Sequence, residues 1–254
     1  MRILLTNDDG IHARGLAVLE RIARTISDDI TVVAPAEEQS GKSRSLTLTE
    51  PFRVRRAGDN RYAVRGTPTD CVMFALGEAM KGSPPDLVLS GVNRGGNVGE
   101  DVSYSGTVSA AMEGALAGIR SVALSQRYAH TGMGDQVPFE TAEAWGERAL
   151  RPLLDAPWAP RTLVNINFPS VPADAVKGIK PVAQGLRDYG RAGLDKRVDP
   201  RGFPYYWLVM SRLPHTPDPD TDLEAIEQGW ITVTPLHLDL THRDSLEGLK
   251  SLYC

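Results

Sequence analysis

The sequence predicts an α/β fold in which a mostly parallel sheet is covered by helices on both faces. Over the first two thirds of the chain, short β-branched apolar runs alternate with segments of helical periodicity. Such alternation calls for right-handed βαβ crossovers, which lay the strands parallel and place helices over both faces. Polar clusters also follow several of the apolar runs, where an open parallel sheet binds its ligands.

Residues 2–6 read as a buried strand, after which Leu16, Leu19, Ile22, Ala23 and Ile26 recur at helical spacing. Residues 30–34 form a second strand, ended by Pro35. Segment 45–65 is less regular; its alternating stretches at 46–48 and 52–55 predict a hairpin-like excursion. Thr67-Pro68-Thr69-Asp70 supplies an N-cap, a proline at N1 and an acid at N3. A helix starts there, carrying Val72, Ala75, Leu76 and Ala79 on one face. A strand at 86–90, a helix rich in small residues at 105–118 and a strand at 121–125 follow. A helix at 139–154 and a strand at 162–168 complete the alternation.

The last third changes character. It holds Pro/Gly-rich turns, an aromatic strand at 205–209, an acidic Pro/Asp loop at 214–222, a strand at 231–234 and a terminal helix. This reads as an antiparallel extension, an arm suited to an oligomer contact. The chain accordingly divides into a core at 1–170 and a C-terminal extension at 171–254.

Composition narrows the class. At 254 residues the chain can bury a core that needs no disulfide staple. Its two cysteines, Cys71 and Cys254, share no metal-like spacing, which predicts a reduced, cytosolic protein. A net charge of -4 argues against wrapping a long nucleic acid. Asp8 and Asp9 arrive too early for a signal peptide, and no apolar run approaches the ~20 residues of a membrane span. The expectation is a soluble cytoplasmic protein without a membrane partner.

Three polar clusters sit at expected strand ends. Asn7-Asp8-Asp9-Gly10 follows the first strand. Adjacent carboxylates repel, and a cation is the natural way to keep both ionised. Hard carboxylate oxygens suit Mg²⁺ or Mn²⁺ rather than zinc; a solvated turn capping the next helix is the plainer alternative. The second cluster is Glu37-Glu38-Gln39-Ser40-Gly41-Lys42-Ser43. Its Gly-Lys-Ser tail lacks the glycine five residues earlier that a P-loop needs, because that position is Ala36. Alone it reads as a surface loop whose hydroxyls and lysine could face a phosphate or a metal.

The third cluster runs Gly91-Val92-Asn93-Arg94-Gly95-Gly96-Asn97-Val98-Gly99, and Tyr104-Ser105-Gly106-Thr107 then opens a helix. Glycines let successive backbone N–H groups converge on an anion, and a helix N-terminus adds its dipole. Asn93 can give a metal a neutral oxygen. The expected phosphate contacts are Asn7, Asn93, Gly95, Gly96, Asn97, Ser105, Gly106 and Thr107. A cation site, an anion cradle and hydroxyls on one sheet edge fit phosphoryl chemistry. Elsewhere, the five histidines (His12, His130, His215, His237, His242) form no zinc motif, and no Gly-x-Ser-x-Gly elbow occurs. Arg187-Asp188-Tyr189-Gly190-Arg191 reads as a solvated hairpin that could also meet a base or sugar.

At these residues the chain resembles the SurE (survival protein E) family of 5'-nucleotidases. Met1-Arg2-Ile3-Leu4-Leu5-Thr6-Asn7-Asp8-Asp9-Gly10-Ile11 is similar to the family's opening, and Val32-Val33-Ala34-Pro35 with Ser40 to its second segment. Gly66-Thr67-Pro68-Thr69-Asp70-Cys71-Val72, Ser90-Gly91-Val92-Asn93-Arg94-Gly95 and Ser105-Gly106-Thr107-Val108-Ser109 resemble the next three. The likeness continues in Asp199-Pro200-Arg201-Gly202, Tyr205-Tyr206-Trp207 and Ile231-Thr232-Val233-Thr234-Pro235-Leu236-His237, so it runs almost end to end. Gly41-Lys42-Ser43 departs from it, and no role for Lys42 is carried over.

The resemblance implies a three-layer αβα, Rossmann-like core. It also implies one divalent metal per subunit, Mg²⁺ or Mn²⁺, on Asp8, Asp9, Ser40 and Asn93. Nucleoside 5'-monophosphates are the implied substrates, with Asp8 and Asp9 as catalytic residues, one of them helping to deprotonate water. A homodimer or homotetramer with exchanged C-terminal segments is the implied assembly. A covalent aspartyl-phosphate route through Asp8 is the rival chemistry; its enzymes space their acids by one residue, whereas Asp8 and Asp9 adjoin. A nucleotide sensor without turnover is the rival function. A dinucleotide-binding oxidoreductase would need Gly-x-Gly-x-x-Gly after the first strand, and that motif is absent.

Overall fold

The structure, a computed structural model, describes residues 1–129, 137–187, 193–209 and 216–253. His130, His215, Cys254 and residues 188–191 of the arginine-flanked tract lie outside the described residues.

The first apolar runs form strands β1 (Ile3–Thr6) and β2 (Ile30–Pro35), joined by helix α1 (Arg14–Arg24). A hairpin of β3 (Val54–Gly58) and β4 (Arg61–Val64) precedes helix α2 (Pro68–Phe74). Strand β5 (Leu87–Arg94), helix α3 (Gly106–Leu116), strand β6 (Arg120–Gln126), helix α4 (Phe139–Asp155) and strand β7 (Thr162–Phe168) continue the alternation. Beyond them lie β8 (Ile179–Pro181), β9 (Gly193–Val198), β10 (Pro204–Val209), α5 (Asp222–Glu227), β11 (Ile231–His237) and α6 (Arg243–Lys250).

Nine strands make one sheet in the order β3-β4-β2-β1-β5-β6-β7-β11-β8. From β4 to β7 every pairing is parallel; β3 and β11 run antiparallel to β4 and β7. Because strand side chains alternate, β1 feeds both faces. Ile3 and Leu5 pack with Leu16, Leu19 and Ile22 of α1 and Leu150 of α4. Leu4 packs with Val33, Val88, Val72 of α2 and Ala110 of α3. The result is three layers, helix–sheet–helix. Strands β2 to β4 build one side of β1, and β5 and the strands after it build the other, so β1 and β5 flank the switch point where such sheets bind ligands.

Helix α2 begins as its sequence dictates. Asp70 N–H donates to Thr67 Oγ1 at 3.1 Å and Thr67 N–H to Asp70 Oδ2 at 2.8 Å, a reciprocal capping box. The same cap explains why residues 46–48 form no strand, contrary to expectation. Thr47 donates through its N–H and hydroxyl to the two Asp70 oxygens, at 3.1 and 2.6 Å, and Ser45 O accepts from Thr67 Oγ1. The segment is tied across a helix end instead of along a strand.

The expected strand at 86–90 runs on to Arg94, with one extra residue between Ser90 and Asn93 relative to β6. The strand at 231–234 extends to His237 and enters the central sheet between β7 and β8. At the end of the Pro/Asp loop a helix begins, Asp222–Glu227, with Thr221 accepting from Glu224 N–H as its N-cap. Among the described residues, only the β9–β10 hairpin stands as a separate two-stranded sheet.

Candidate metal and phosphate site

Asp8 and Asp9 occupy the turn at the carboxyl end of β1, and Asn7 shapes it. Asn7 Nδ2 donates to Gly10 O at 2.9 Å and Gly10 N–H donates back to Asn7 Oδ1 at 3.3 Å. Asn7, expected among the phosphate contacts, is a staple of the turn. Gln39 N–H donates to Asp8 O at 2.8 Å, which brings the loop after β2, with Ser40, against the same turn. Ser40 is exposed and donates to Glu38 Oε1 at 2.8 Å.

Asp8 points at the start of α3. Its Oδ1 accepts the Thr107 hydroxyl. A Cβ on Gly106 would come within 2.8 Å of Asp8 Cβ, so only glycine lets the helix approach this closely. Burial pushes the Asp8 carboxyl up from its ordinary value, opposed by hydrogen bonds from the Thr107 side chain and main chain. Asp9 is pushed up to about 6, first by burial and then by the charge of Asp8. Arg94 pulls the other way: its N–H donates to Asp9 Oδ2 at 3.0 Å, and its guanidinium lies 4.0 Å from Asp9 Oδ1 and 3.1 Å from Glu38 Oε1.

Asn93, one residue earlier on β5, donates through Nδ2 to Gly95 O at 2.9 Å. That orientation turns its amide oxygen into the end available to a cation. The donor set fits a hard divalent ion. Two carboxylates, with only 4% of Asp8 and 8% of the Asp9 side chain exposed, are raised by burial beside a third acid, Glu38. Among the described residues His, Cys, Asp and Glu supply no three-ligand cluster. A cation here therefore needs hydroxyl and amide oxygens as well, which Ser40 and Asn93 carry.

Several groups of the expected anion cradle have protein partners in the structure. Gly95 N–H donates to Gln126 O at 2.9 Å, and Asn97 N–H to Asn167 Oδ1 at 2.7 Å. Asn97 Nδ2 donates to Ser125 Oγ, and Asn97 O accepts from Asn165 and Asn167. Gly95 and Asn97 are thus engaged in holding the loop. Ser105 is the N-cap of α3, its hydroxyl accepting from Val108 N–H at 3.1 Å, and Thr107 orients Asp8. Of the expected phosphate contacts, the N–H groups of Gly96 and Gly106 have no protein acceptor among the described residues.

Arg94, Glu38 and Tyr128 had not been expected here. Tyr128 lies so close over Gly95 that a Cβ there would be 3.0 Å from its ring. Arg94 and Glu38 belong to the polar clusters noticed in the sequence, but neither reveals its partner from a single segment. A cavity of about 260 Å³ opens beside Asp9, lined by Ala13, Arg14, Glu38, Arg94, Val137 and Phe139. A larger one, about 550 Å³, lies at the carboxyl ends of β2 and β4, lined in part by Gln39, Lys42, Arg53 and Arg65.

Fold and site together define a three-layer α/β protein with an acidic, oxygen-rich centre at the switch point of its sheet. The family model of Survival protein SurE matches residues 3–191, and the chain belongs to that family. It is 64% identical over 253 residues to 5'-nucleotidase SurE of Rhizorhabdus wittichii, covering 100% of both chains. To 5'-nucleotidase SurE of Erythrobacter litoralis it is 57% identical over 246 residues, 97% of each. The crystal structure of the SurE protein from Aquifex aeolicus superposes with a TM-score of 0.84 at 38% identity, covering 100% of both chains. That likeness covers the whole chain, and so also the part past residue 191 that holds β9 to α6. No helix among the described residues is long and apolar enough to cross a membrane.

Proposed function

We propose that this chain hydrolyses nucleoside 5'-monophosphates to nucleoside and phosphate, with a divalent cation, Mg²⁺ or Mn²⁺, on Asp8, Asp9, Ser40 and Asn93. The observation that carries the reading is the meeting of two adjacent desolvated carboxylates with the start of α3 and with the end of β5 that carries Asn93. The whole-length identity to relatives named 5'-nucleotidase supports the same chemistry.

The chemistry such a cation supplies when bound is charge neutralisation at the phosphate and a lowered pKa for water. The residues of the chain do the rest. Thr107 keeps Asp8 in one orientation. Arg94 and the free N–H groups of Gly96 and Gly106 offer positive ends to phosphate oxygens, in a reaction that rests on positioning and charge. Asp9, the less buried of the two acids, is the better placed to exchange a proton with an attacking water. The cavity at Arg14 and Phe139 gives the nucleoside part room beside the phosphate.

The β9–β10 hairpin is the arm by which subunits would associate. Every residue of β10 is exposed, Trp207 to 58% and Leu208 to 77%, so both faces of an aromatic strand lie uncovered in the single chain. A second copy covering them, as a dimer or tetramer, is the assembly we infer.

The test is inorganic phosphate release from a panel of nucleoside monophosphates, comparing metal-stripped protein with protein given Mg²⁺ or Mn²⁺, in wild type and Asp8→Asn. Release that needs metal and collapses in Asp8→Asn is expected. A folded wild type that releases no phosphate with any metal would overturn the proposal.

A further inference from the structure

The loop that carries Asn93 is held from two strands away. Asn97 is 6% exposed, and Ser125, Asn165 and Asn167, which surround it, are fully buried. Asn167 grips both polar ends of one residue: its Oδ1 accepts from Asn97 N–H at 2.7 Å and its Nδ2 donates to Asn97 O at 3.1 Å. Asn165 Nδ2 donates to the same carbonyl at 2.7 Å, and Asn97 Nδ2 donates to Ser125 Oγ at 2.8 Å. A buried amide left unpaired is costly, and Asn167 finds a partner for each end here, while Asn165 pairs through Nδ2 and its Oδ1 has no partner among the described residues.

The clamp has a direct line to the proposed metal ligand. Asn93 donates to Gly95 O, Gly95 N–H donates to Gln126 O, and two residues later Asn97 is locked to β7. Gln126 is itself pinned, Nε2 donating to Pro169 O at 2.9 Å and Oε1 accepting from Ala142 N–H at 3.1 Å. After the extra residue between Ser90 and Asn93, the ladder with β6 resumes at Asn93 and Arg94, and the strand ends there. Beyond the strand end, Gly95 keeps one backbone bond to Gln126, and Asn97 is held by side chains of β6 and β7.

We infer that Asn167, with Asn165, is a positioning residue for the cation site: by fixing Asn97 it sets where the Asn93 amide oxygen stands relative to Asp8 and Asp9. The inference rests on the reading of Asn93 as a metal ligand. Outer partners of this kind typically alter metal affinity by about 10–100-fold when removed. Thr234 makes a fitting control. It pairs with Asn165 in the β11–β7 register, its hydroxyl is buried without a partner, and it makes no bond to the loop.

The experiment is titration calorimetry of Mn²⁺ into metal-stripped protein, for wild type, Asn167→Asp, Ser125→Ala, Thr234→Val and Asn93→Ala, each checked for native circular dichroism. Asn167→Asp keeps the acceptor for Asn97 N–H and turns the donor into an oxygen facing the Asn97 carbonyl. Its dissociation constant is expected to rise about tenfold or more, with a smaller rise in Ser125→Ala and no change in Thr234→Val. Should Asn167→Asp fail to fold, Ser125→Ala decides: a wild-type constant there overturns the inference. A folded Asn167→Asp with the wild-type constant, beside a weakened Asn93→Ala, sinks the clamp alone. If Asn93→Ala also binds Mn²⁺ like the wild type, the ligand reading beneath it has failed.

Discussion

The hydroxyl of Thr107 donates to Asp8 Oδ1 across 99 positions of sequence, joining the first turn of α3 to the loop after β1. Both residues are buried, so this contact decides how a desolvated carboxylate is kept in place. Thr107→Val preserves the shape and removes the donor. The metal-free fold is expected to lose about 1–3 kcal/mol by chemical denaturation, because a buried acceptor is left short of a partner. The Mn²⁺ dissociation constant should rise about tenfold. Wild-type values for both would show that Asp8 needs no such support.

Gly106→Ala makes a sharper test of the same approach. Alanine is the better helix former by about 1 kcal/mol, so propensity alone predicts a gain. The added Cβ would instead stand 2.8 Å from Asp8 Cβ, 2.9 Å from Asp8 Oδ2 and 3.1 Å from Pro68 Cγ. Displacing Asp8 by a fraction of an ångström to 1 Å is expected to lower kcat/KM about 100-fold. Gly77→Ala, where nothing lies within 4 Å, is the control that should stabilise without touching activity. Equal activity in the two variants would contradict the geometry.

The acidic pair predicts a pH dependence with a definite sign. Asp9 titrates at about 6 in the metal-free fold, above its ordinary 3.8, and Asp8 is raised as well. A raised carboxyl makes the fold bind protons more tightly than the unfolded chain. Its contribution to stability is complete below about 4 and is lost as the pH rises through about 6. Metal-free Asp9→Asn should therefore be more stable than wild type at pH 7.5, with that advantage shrinking at pH 5, as read from melting temperatures. Mn²⁺ must displace the proton, so wild-type binding should tighten roughly tenfold per proton between pH 5 and 7. A pH-independent dissociation constant would refute the coupling.

The uncovered hairpin predicts an assembly. Trp207 and Leu208 point to opposite faces of β10, and both are exposed. Light scattering behind a sizing column is expected to show wild type as a dimer or tetramer. The double variant Trp207→Asp and Leu208→Asp should run at 27.6 kDa, the mass of one chain. A double variant with the wild-type mass would place the interface elsewhere.

Features set by neighbours in sequence could be read without a structure. The Thr67–Asp70 capping box joins residues three apart, and the adjacency of Asp8 and Asp9 is itself the repulsion that calls for a cation. Where backbone groups find distant partners, the local reading failed. The glycine run looked like an anion nest because its amides seemed free, yet Gly95 N–H meets Gln126 and Asn97 N–H meets Asn167. Residues 46–48 looked like a strand, yet their partner was the cap of α2. Asn165 and Asn167 were visible as alternate polar residues in an apolar strand, with nothing nearby to say what they bind.

By itself, then, the sequence determined the alternation of strands and helices, the start of α2, and the acidic turn with its need for a cation, all set by periodicity and by short-range sterics and charge. The tertiary structure decided that β11 and β8 complete the sheet, that Thr107 serves Asp8 rather than a phosphate, and that β7 governs the loop of Asn93. Those are pairings across some 50 to 100 residues, and a buried polar group's partner is chosen by which segments the packed core brings together, not by its neighbours along the chain.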